Sequence, residues 1–384
     1  MGNPRPQGSL VHRALLIGLK LKRARQSDFM LSMDEMAGLA LTAGATLAGR
    51  IVQERERIDP AYYFGRGKAD EIASLCASEK AELALVNDSL SAAQARNLQE
   101  RIDCKVVDRT QLILDIFAKR AQTQEGKLQV ELAQLSYLLP RLTGKGVELS
   151  RLGGGIGTRG PGEMKLEVDR RRIRERIHKI HEAIDKVRMT RSLHRRRRER
   201  QGIPTLAIVG YTNAGKSTLF ERLTRAHTLC SPALFSTLDP LCRRIRLPGG
   251  SLCYVSDTVG FIRKLPVELV AAFRATLEEV VNAHLLLHVC DASSLDLDGD
   301  IRAVDKVLAD LGAERRPVIK VYNKCDLLPP DLSRRRTEDA VYISALRGDH
   351  IDALAMAIEH RLQRTRSMSR PAPAGTDAKA VMQL

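Results

Sequence analysis

The chain has 384 residues, too long for one ordinary core, and length alone implies two or three domains. Hydrophobic residues make up 43% and charged residues 28%, a globular composition that excludes intrinsic disorder. No apolar run reaches the ~18 to 20 residues that span a bilayer. The opening Met1-Gly2-Asn3-Pro4-Arg5-Pro6 lacks the apolar centre of a signal peptide, so a cytoplasmic location is expected, either free or peripheral at a membrane. Aromatics are only 4%, with no Trp. The core should therefore be aliphatic, and base stacking on exposed rings is not expected to be a main mode of RNA binding. Seven cysteines (Cys76, Cys104, Cys230, Cys242, Cys253, Cys290, Cys325) are scattered without a CxxC pair, which fits reduced thiols better than disulfides or zinc.

The net charge of +16 is unevenly placed. Residues 141–200 carry 19 Lys/Arg against 8 Asp/Glu, whereas residues 202–366 carry 22 against 20. A positive field confined to sixty residues or so is the footprint of a polyanion, nucleic acid being the commonest; the bland alternative is a solvated basic helix.

In chain order, Ala14–Leu19, Thr46–Gln53, Glu82–Asn87 and Lys105–Asp108 read as strands. The stretches Met33–Thr42, Lys68–Ser78, Ser91–Glu100 and Thr110–Ala118 between and after them read as helices. Residues 1–120 thus predict a parallel α/β domain. Leu128, Leu132, Leu135 and Leu139, then Ile173, Ile177, Ile180, Ile184 and Val187, follow heptad-like spacings. Each would expose an apolar stripe alone, so residues 121–200 predict an antiparallel helical hairpin. Its tip would be Pro140–Gly162, and Arg195-Arg196-Arg197-Arg198 would close it. From residue 202 to 366 the α/β pattern returns, with strands at Thr205–Val209, Leu252–Asp257, Leu285–Cys290, Val318–Tyr322 and Val341–Ile343. Residues 367–384 are read as a mobile tail.

The second α/β segment carries the chemistry. Gly210-Tyr211-Thr212-Asn213-Ala214-Gly215-Lys216-Ser217 follows a strand, and Thr218 opens a helix. This is a phosphate loop: the glycines let backbone N–H groups turn toward phosphate, and the helix N-terminus adds partial positive charge. Lys216 supplies charge to the β/γ oxygens and the Ser217 hydroxyl is a Mg²⁺ ligand. Asn323-Lys324-Cys325-Asp326 ends a strand. There a carboxylate accepts two hydrogen bonds from guanine N1–H and the N2 amine, a pattern adenine lacks. Alone, such a tetrapeptide could be an Asx turn. Ser344-Ala345-Leu346 fits a final base-contacting loop.

Asp257-Thr258-Val259-Gly260 ends another strand, where Asp257 would hold Mg²⁺ through water and the Gly260 N–H would sense the γ-phosphate. Upstream, Phe235-Ser236-Thr237-Leu238-Asp239 lies where a second hydroxyl ligand of Mg²⁺ is expected; Thr237 is preferred and Ser236 is the alternative. Four motifs in this order predict a P-loop GTPase (G) domain. Lys216, Thr237 and Gly260 are its catalytic groups, Ser217 and Thr237 its metal ligands, and Mg²⁺ and GTP its cofactor and substrate. Phe261 stands where many GTPases carry a water-orienting glutamine.

The sequence resembles the HflX family of the Obg–HflX group of translation GTPases over nearly its whole length. The resemblance is carried by the phosphate-loop octet, Asp257-Thr258-Val259-Gly260-Phe261-Ile262-Arg263 and Leu265-Pro266. It is carried most specifically by Gly153-Gly154-Gly155-Ile156-Gly157-Thr158-Arg159-Gly160-Pro161-Gly162-Glu163, and further by Gly65-Arg66-Gly67-Lys68 and Glu125-Gly126-Lys127-Leu128-Gln129-Val130-Glu131-Leu132. Met164-Lys165 stands where the family commonly has Thr-Gln, and Leu241 where a Thr is common. The resemblance implies a monomeric GTPase whose partners are the large (50S) ribosomal subunit and its rRNA. It also implies that the protein separates stalled ribosomes into subunits, with slow intrinsic hydrolysis stimulated by the ribosome. A GTP-dependent RNA-binding assembly factor without a splitting role is the alternative.

Overall fold

The computed structural model describes residues 12–142, 161–225, 234, 235, 237–264, 266, 277–329, 336, 337 and 339–369. Strands β1 (His12–Leu21), β2 (Ala45–Arg55), β3 (Leu83–Val86) and β4 (Lys105–Asp108) alternate with helices α1 (Gln26–Ala43), α2 (Arg66–Ser78), α3 (Ala92–Arg101) and α4 (Arg109–Arg120). The strands form a four-stranded sheet in the order β2-β1-β3-β4, parallel throughout. Helices cover both faces, so β1 is buried without a break from Ala14 to Leu19, as the centre of a parallel strand must be. Every strand and helix read in this segment from sequence is present, most of them longer than read.

Local chemistry sets several boundaries. Gly44 ends α1 in the left-handed conformation (φ 92°), where a residue with a Cβ is strained. Ser91 and Gln94 form a reciprocal capping box on α3. Asp108 caps α4 by accepting from the Gln111 amide (2.8 Å) and also accepts from the Tyr137 hydroxyl (2.9 Å), tying the helix that follows to the sheet.

Helix α5 (Gln124–Leu138) and the long α6 (Pro161–Arg200) form the hairpin. Leu132, Ile180 and Ile184 are buried at its centre with Leu128, Leu135 and Ile177 packed around them, so the two heptad-like stripes bury one another. Arg176 pairs with Glu131 (2.6 Å) and Arg191 with the earlier Glu125 (2.7 Å), which fixes the antiparallel direction. The tip residues 143–160 and the side chains of the Arg195–Arg198 run lie outside the described residues.

The third unit contains β5 (Thr205–Gly210), α7 (Lys216–Thr224), β6 (Leu241–Arg246), β7 (Leu252–Asp257), β8 (Leu285–Asp291), α8 (Leu297–Asp310), β9 (Val318–Asn323), β10 (Arg336–Thr337), β11 (Ala340–Tyr342) and α9 (Ile351–Ser369). The seven-stranded sheet runs β10-β11-β9-β8-β5-β7-β6. It is parallel except for β6 against β7 and β10 against β11 at the two edges. Sequence patterning missed both edge strands. β6 reads Leu-Cys-Arg-Arg-Ile-Arg, with the polar residues an edge tolerates and a central strand does not. Helix α9 runs to Ser369, a few residues into the segment read as tail, and residues 370–384 lie outside the described residues.

One apolar cluster joins all three units: Phe29 and Met33 of α1, Phe117 of α4, Val130 of α5, and Phe235, Leu238 and Phe261 of the third unit. Phe117 and Phe235 meet edge to face at 4.6 Å, a favoured geometry for aromatic pairs. Among the described residues no helix is long and apolar enough to cross a membrane.

Candidate nucleotide site

The functional groups gather at the carboxyl ends of β5, β7, β9 and β11, where ligands bind in open α/β sheets. The chain leaves β5 at Gly210, whose φ of 153° and close approach to the β8 backbone at Val289 leave no room for a side chain. It then passes through Tyr211, Thr212, the exposed Asn213 (φ 60°) and the buried Ala214, and turns at Gly215 (φ 91°) into α7. A Cβ on Gly215 would collide with the Asn323 amide, so the phosphate loop and the Asn-Lys-Cys-Asp turn are fitted to each other. Thr218 lies in the first turn of α7.

Lys216 is buried and donates to the Tyr211 carbonyl (2.7 Å). Burial lowers its pKa to about 8, against the opposing pull of Asp257. Burial likewise raises the pKa of Asp257, against the nearby Lys216 and hydrogen bonds from Ser217 and Thr237. Both groups are therefore pushed toward neutrality, a condition that a bound triphosphate with its cation would relieve. Ser217 Oγ lies 2.7 Å from Thr237 Oγ1 and 2.8 Å from Asp257 Oδ2, and Thr237 Oγ1 is 3.0 Å from the same oxygen. Asp257 Oδ1 is buried without a partner among the described residues. Two hydroxyls around a carboxylate with a lone pair to spare fit the oxygen-rich, partly aqueous shell of Mg²⁺. Ser217 and Thr237 would hold the ion, with Asp257 behind them.

Thr258 donates to the β5 carbonyl of Ile208 (2.7 Å) and Val259 is buried. A Cβ on Gly260 would sit 2.9 Å from Lys216 Nζ, so glycine is what allows that segment to approach the lysine. At the base end, Asn323 donates to the Ala214 carbonyl (2.8 Å) and accepts from the Ala345 amide (2.9 Å). It thereby ties the phosphate loop to the Ser344-Ala345-Leu346 loop. Lys324, at φ 65°, donates to Asp291 (2.5 Å), and Cys325 is buried beneath the turn. The Asp326 carboxylate lies 3.7 Å from Arg347 Nε. Ser344 is buried, and Leu346 is exposed beside this end.

Part of the upstream loop is placed elsewhere than the sequence reading had it. Thr237 reaches the hydroxyl cluster, but Phe235 and Leu238 are buried in the apolar cluster shared with the first sheet and the hairpin. The Asp239 carboxylate accepts from the amides of Gln122 (2.9 Å) and Thr123 (3.0 Å) and from the Thr123 hydroxyl. Phe235 and Leu238 thus pack in the shared apolar cluster and Asp239 anchors the loop to the foot of α5. The alternative hydroxyl Ser236 lies outside the described residues.

A second polar cluster was not legible in the sequence. Arg109 is fully buried and pairs with Glu35 (2.6 Å). It also donates to the carbonyls of Asn87 (2.8 Å), Ser32 (3.0 Å) and Arg263 (3.3 Å). Glu35 accepts in turn from the Tyr211 hydroxyl of the phosphate loop, and that hydroxyl accepts from the Arg263 amide (2.9 Å). Lys264 pairs with Asp88. The segment after Gly260 is thus wired to the first sheet. Burial raises the pKa of Glu35, opposed chiefly by Arg109.

A phosphate loop, a hydroxyl–carboxylate set and an Asn-Lys-x-Asp turn on the parallel strands of one sheet define a P-loop GTPase. Family models agree: "GTP-binding GTPase N-terminal" matches residues 31–118, "GTP-binding GTPase Middle Region" 120–198 and "50S ribosome-binding GTPase" 205–324. GTPase HflX of Caldanaerobacter subterraneus subsp. tengcongensis is 53% identical over 331 residues, 86% of this chain and 77% of that protein. GTPase HflX of Escherichia coli is 45% identical over 342 residues, 88% of this chain and 80% of that one. The crystal structure of SsGBP with GDP shares the fold, with a TM-score of 0.51 at 24% identity, covering 94% of this chain and 100% of that one. The chain belongs to the HflX family and hydrolyses GTP.

Proposed function

We propose that this GTPase binds the 50S subunit and its rRNA in the GTP state, through the hairpin, and separates stalled ribosomes into subunits. In this reading it acts in the cytoplasm as a monomer, with residues 1–120 and 121–200 forming the ribosome-facing part and 202–366 the nucleotide switch. The observation that carries the reading is a direct connection between hairpin and switch. The loop bearing Thr237 is bonded through Asp239 to Gln122 and Thr123, the residues that lead into α5. Along α6, Arg171 and Arg172 are exposed, as a helix that meets phosphates would present them. At the other end Arg188 pairs with Glu278 of the third unit (2.9 Å). Ordering the hairpin on RNA would therefore act on the loop that carries a metal ligand. The description "50S ribosome-binding GTPase" of the matching family model supports the same partner.

Lys216, Ser217, Thr237 and the Gly260 amide form the catalytic set in this reading, and Asp326 selects guanine. Bound Mg²⁺ would neutralise charge developing on the β and γ oxygens. Phe261 is buried and offers no polar atom to a water, so intrinsic turnover is expected to be slow, on the order of 10⁻⁴ to 10⁻³ per second. The test is multiple-turnover phosphate release with and without purified large subunits. Stimulation supports the proposal, whereas several turnovers per second from the isolated protein would refute it.

A further inference from the structure

Hydrolysis needs a polar atom on the attacking water, and the usual glutamine is absent. Phe261 is 1% exposed and its backbone is fully engaged. Its amide donates to the Gly210 carbonyl (3.1 Å) and its carbonyl accepts from the Thr212 amide (2.7 Å). These two bonds stitch the segment after Gly260 onto the phosphate loop and set Thr212 against Gly260. A Cβ built on Gly260 would lie 2.9 Å from both Thr212 Cγ2 and Lys216 Nζ. The Thr212 methyl and the Lys216 ammonium therefore flank one point beside Gly260, and the Thr212 hydroxyl sits on the same Cβ as that methyl.

Thr212 is 6% exposed and its hydroxyl has no hydrogen-bond partner among the described residues, which buried hydroxyls rarely lack without reason. Asp257 Oδ1, beside Ser217 and Thr237, is the other buried unpartnered atom at this site among the described residues, so two buried polar atoms here are left for a bound group to complete. The neighbouring residues are otherwise occupied or displaced: the Tyr211 hydroxyl is bonded to Glu35 and the Arg263 amide, and Asn213 is exposed. Thr212 also lines a cleft of about 600 Å³ between α1 and the phosphate loop.

We propose that the Thr212 hydroxyl accepts a hydrogen bond from the attacking water and so does the orienting for which Phe261 carries no polar atom. The water oxygen forms a bond to the γ-phosphorus as the bond from that phosphorus to the β–γ bridging oxygen breaks. The electron pair leaves on GDP, and the proton lost by the water ends on inorganic phosphate. Thr212 stays a neutral alcohol throughout. The inference rests on the GTPase assignment and is independent of any ribosome partner.

The test is single-turnover GTP hydrolysis by the full chain, alongside binding of GDP and of a non-hydrolysable GTP analogue. Thr212→Val keeps the shape and removes the hydroxyl; Thr212→Ser keeps the hydroxyl. Valine should slow the chemical step by roughly 5- to 150-fold, the effect of one hydrogen bond removed from a closed site. Both binding constants should stay within about threefold, and serine should restore most of the rate. Three results would overturn the proposal. Valine could hydrolyse at the parental rate, or serine could be as slow as valine. Alternatively, valine could weaken the GTP analogue while sparing GDP, which would make the hydroxyl a ligand of the γ-phosphate itself. Loss of GDP binding in a Ser217→Ala control, with Thr212→Val still binding, separates this outcome from failure of the nucleotide site as a whole.

Discussion

Replacing Arg109 with methionine keeps the aliphatic stem and deletes a guanidinium that is fully buried among partners. The groups left behind define the cost. Glu35, whose side chain is 9% exposed, loses an ion pair and a hydrogen bond at 2.6 Å, and the Ser32, Asn87 and Arg263 carbonyls each lose a donor. Stranding one member of a buried pair costs about 3 to 5 kcal/mol, a large part of a domain's stability. Glu35 can limit the loss by taking a proton. Burial already raises its pKa and Arg109 is the main influence holding it down, so the variant's folded-state value must climb further. A carboxyl whose folded pKa lies above its unfolded one contributes stability at low pH that disappears as pH rises through the folded value. The defect should therefore be smallest near pH 5 and largest near pH 8. Urea unfolding at both pH values measures it, and adding Glu35→Gln to Arg109→Met should recover about half of the loss at pH 8. An Arg109→Met protein within about 1 kcal/mol of the parent at every pH, or one with a loss independent of pH, would refute the reasoning.

At the base end, Asp326→Asn turns one acceptor into a donor and should weaken GTP binding by roughly 5- to 150-fold while improving xanthosine triphosphate; titration with both nucleotides checks it, and unchanged GTP affinity would remove Asp326 from the site. His288, 1% exposed in β8, has its pKa lowered to about 4, first by burial and then by Lys320 and Lys216. The folded state resists the proton that the unfolded chain takes up near pH 6.5, so stability should fall from about pH 6.5 toward 4, by up to about 3 kcal/mol. His288→Asn should flatten that acid limb in thermal melts, and an unchanged limb would show that other groups set it.

The parts of this molecule readable from sequence are those whose partners lie nearby in the chain or whose spacing is periodic. The alternating strands and helices of the first sheet, the leucine and isoleucine stripes of the hairpin, and the phosphate loop after β5 are all of this kind. The residues whose contacts were not legible have distant partners. Asp239 belongs to a loop that motif order assigns to the nucleotide, yet its hydrogen bonds go to Thr123, more than a hundred residues earlier. Phe235 is likewise taken by Phe117. Arg109 looks like an ordinary charged residue at a helix start, and nothing local reveals that Glu35, Asn87 and Arg263 converge on it. β6 escaped because an edge strand needs little apolar character.

The central claim is that the GTP state engages the large subunit through the basic hairpin. Its most direct test is sedimentation of the protein with purified 50S subunits under GDP and under a non-hydrolysable GTP analogue, over a range of salt concentrations. Parent and Arg170→Gln/Arg171→Gln/Arg172→Gln proteins are compared. The parent should pellet with subunits under the analogue more than under GDP. The triple variant should bind more weakly, with a salt dependence flattened by somewhat under one unit of slope for each arginine–phosphate pairing removed, while its GTP affinity stays intact. Equal pelleting by parent and variant, with the same salt slope, would contradict the account.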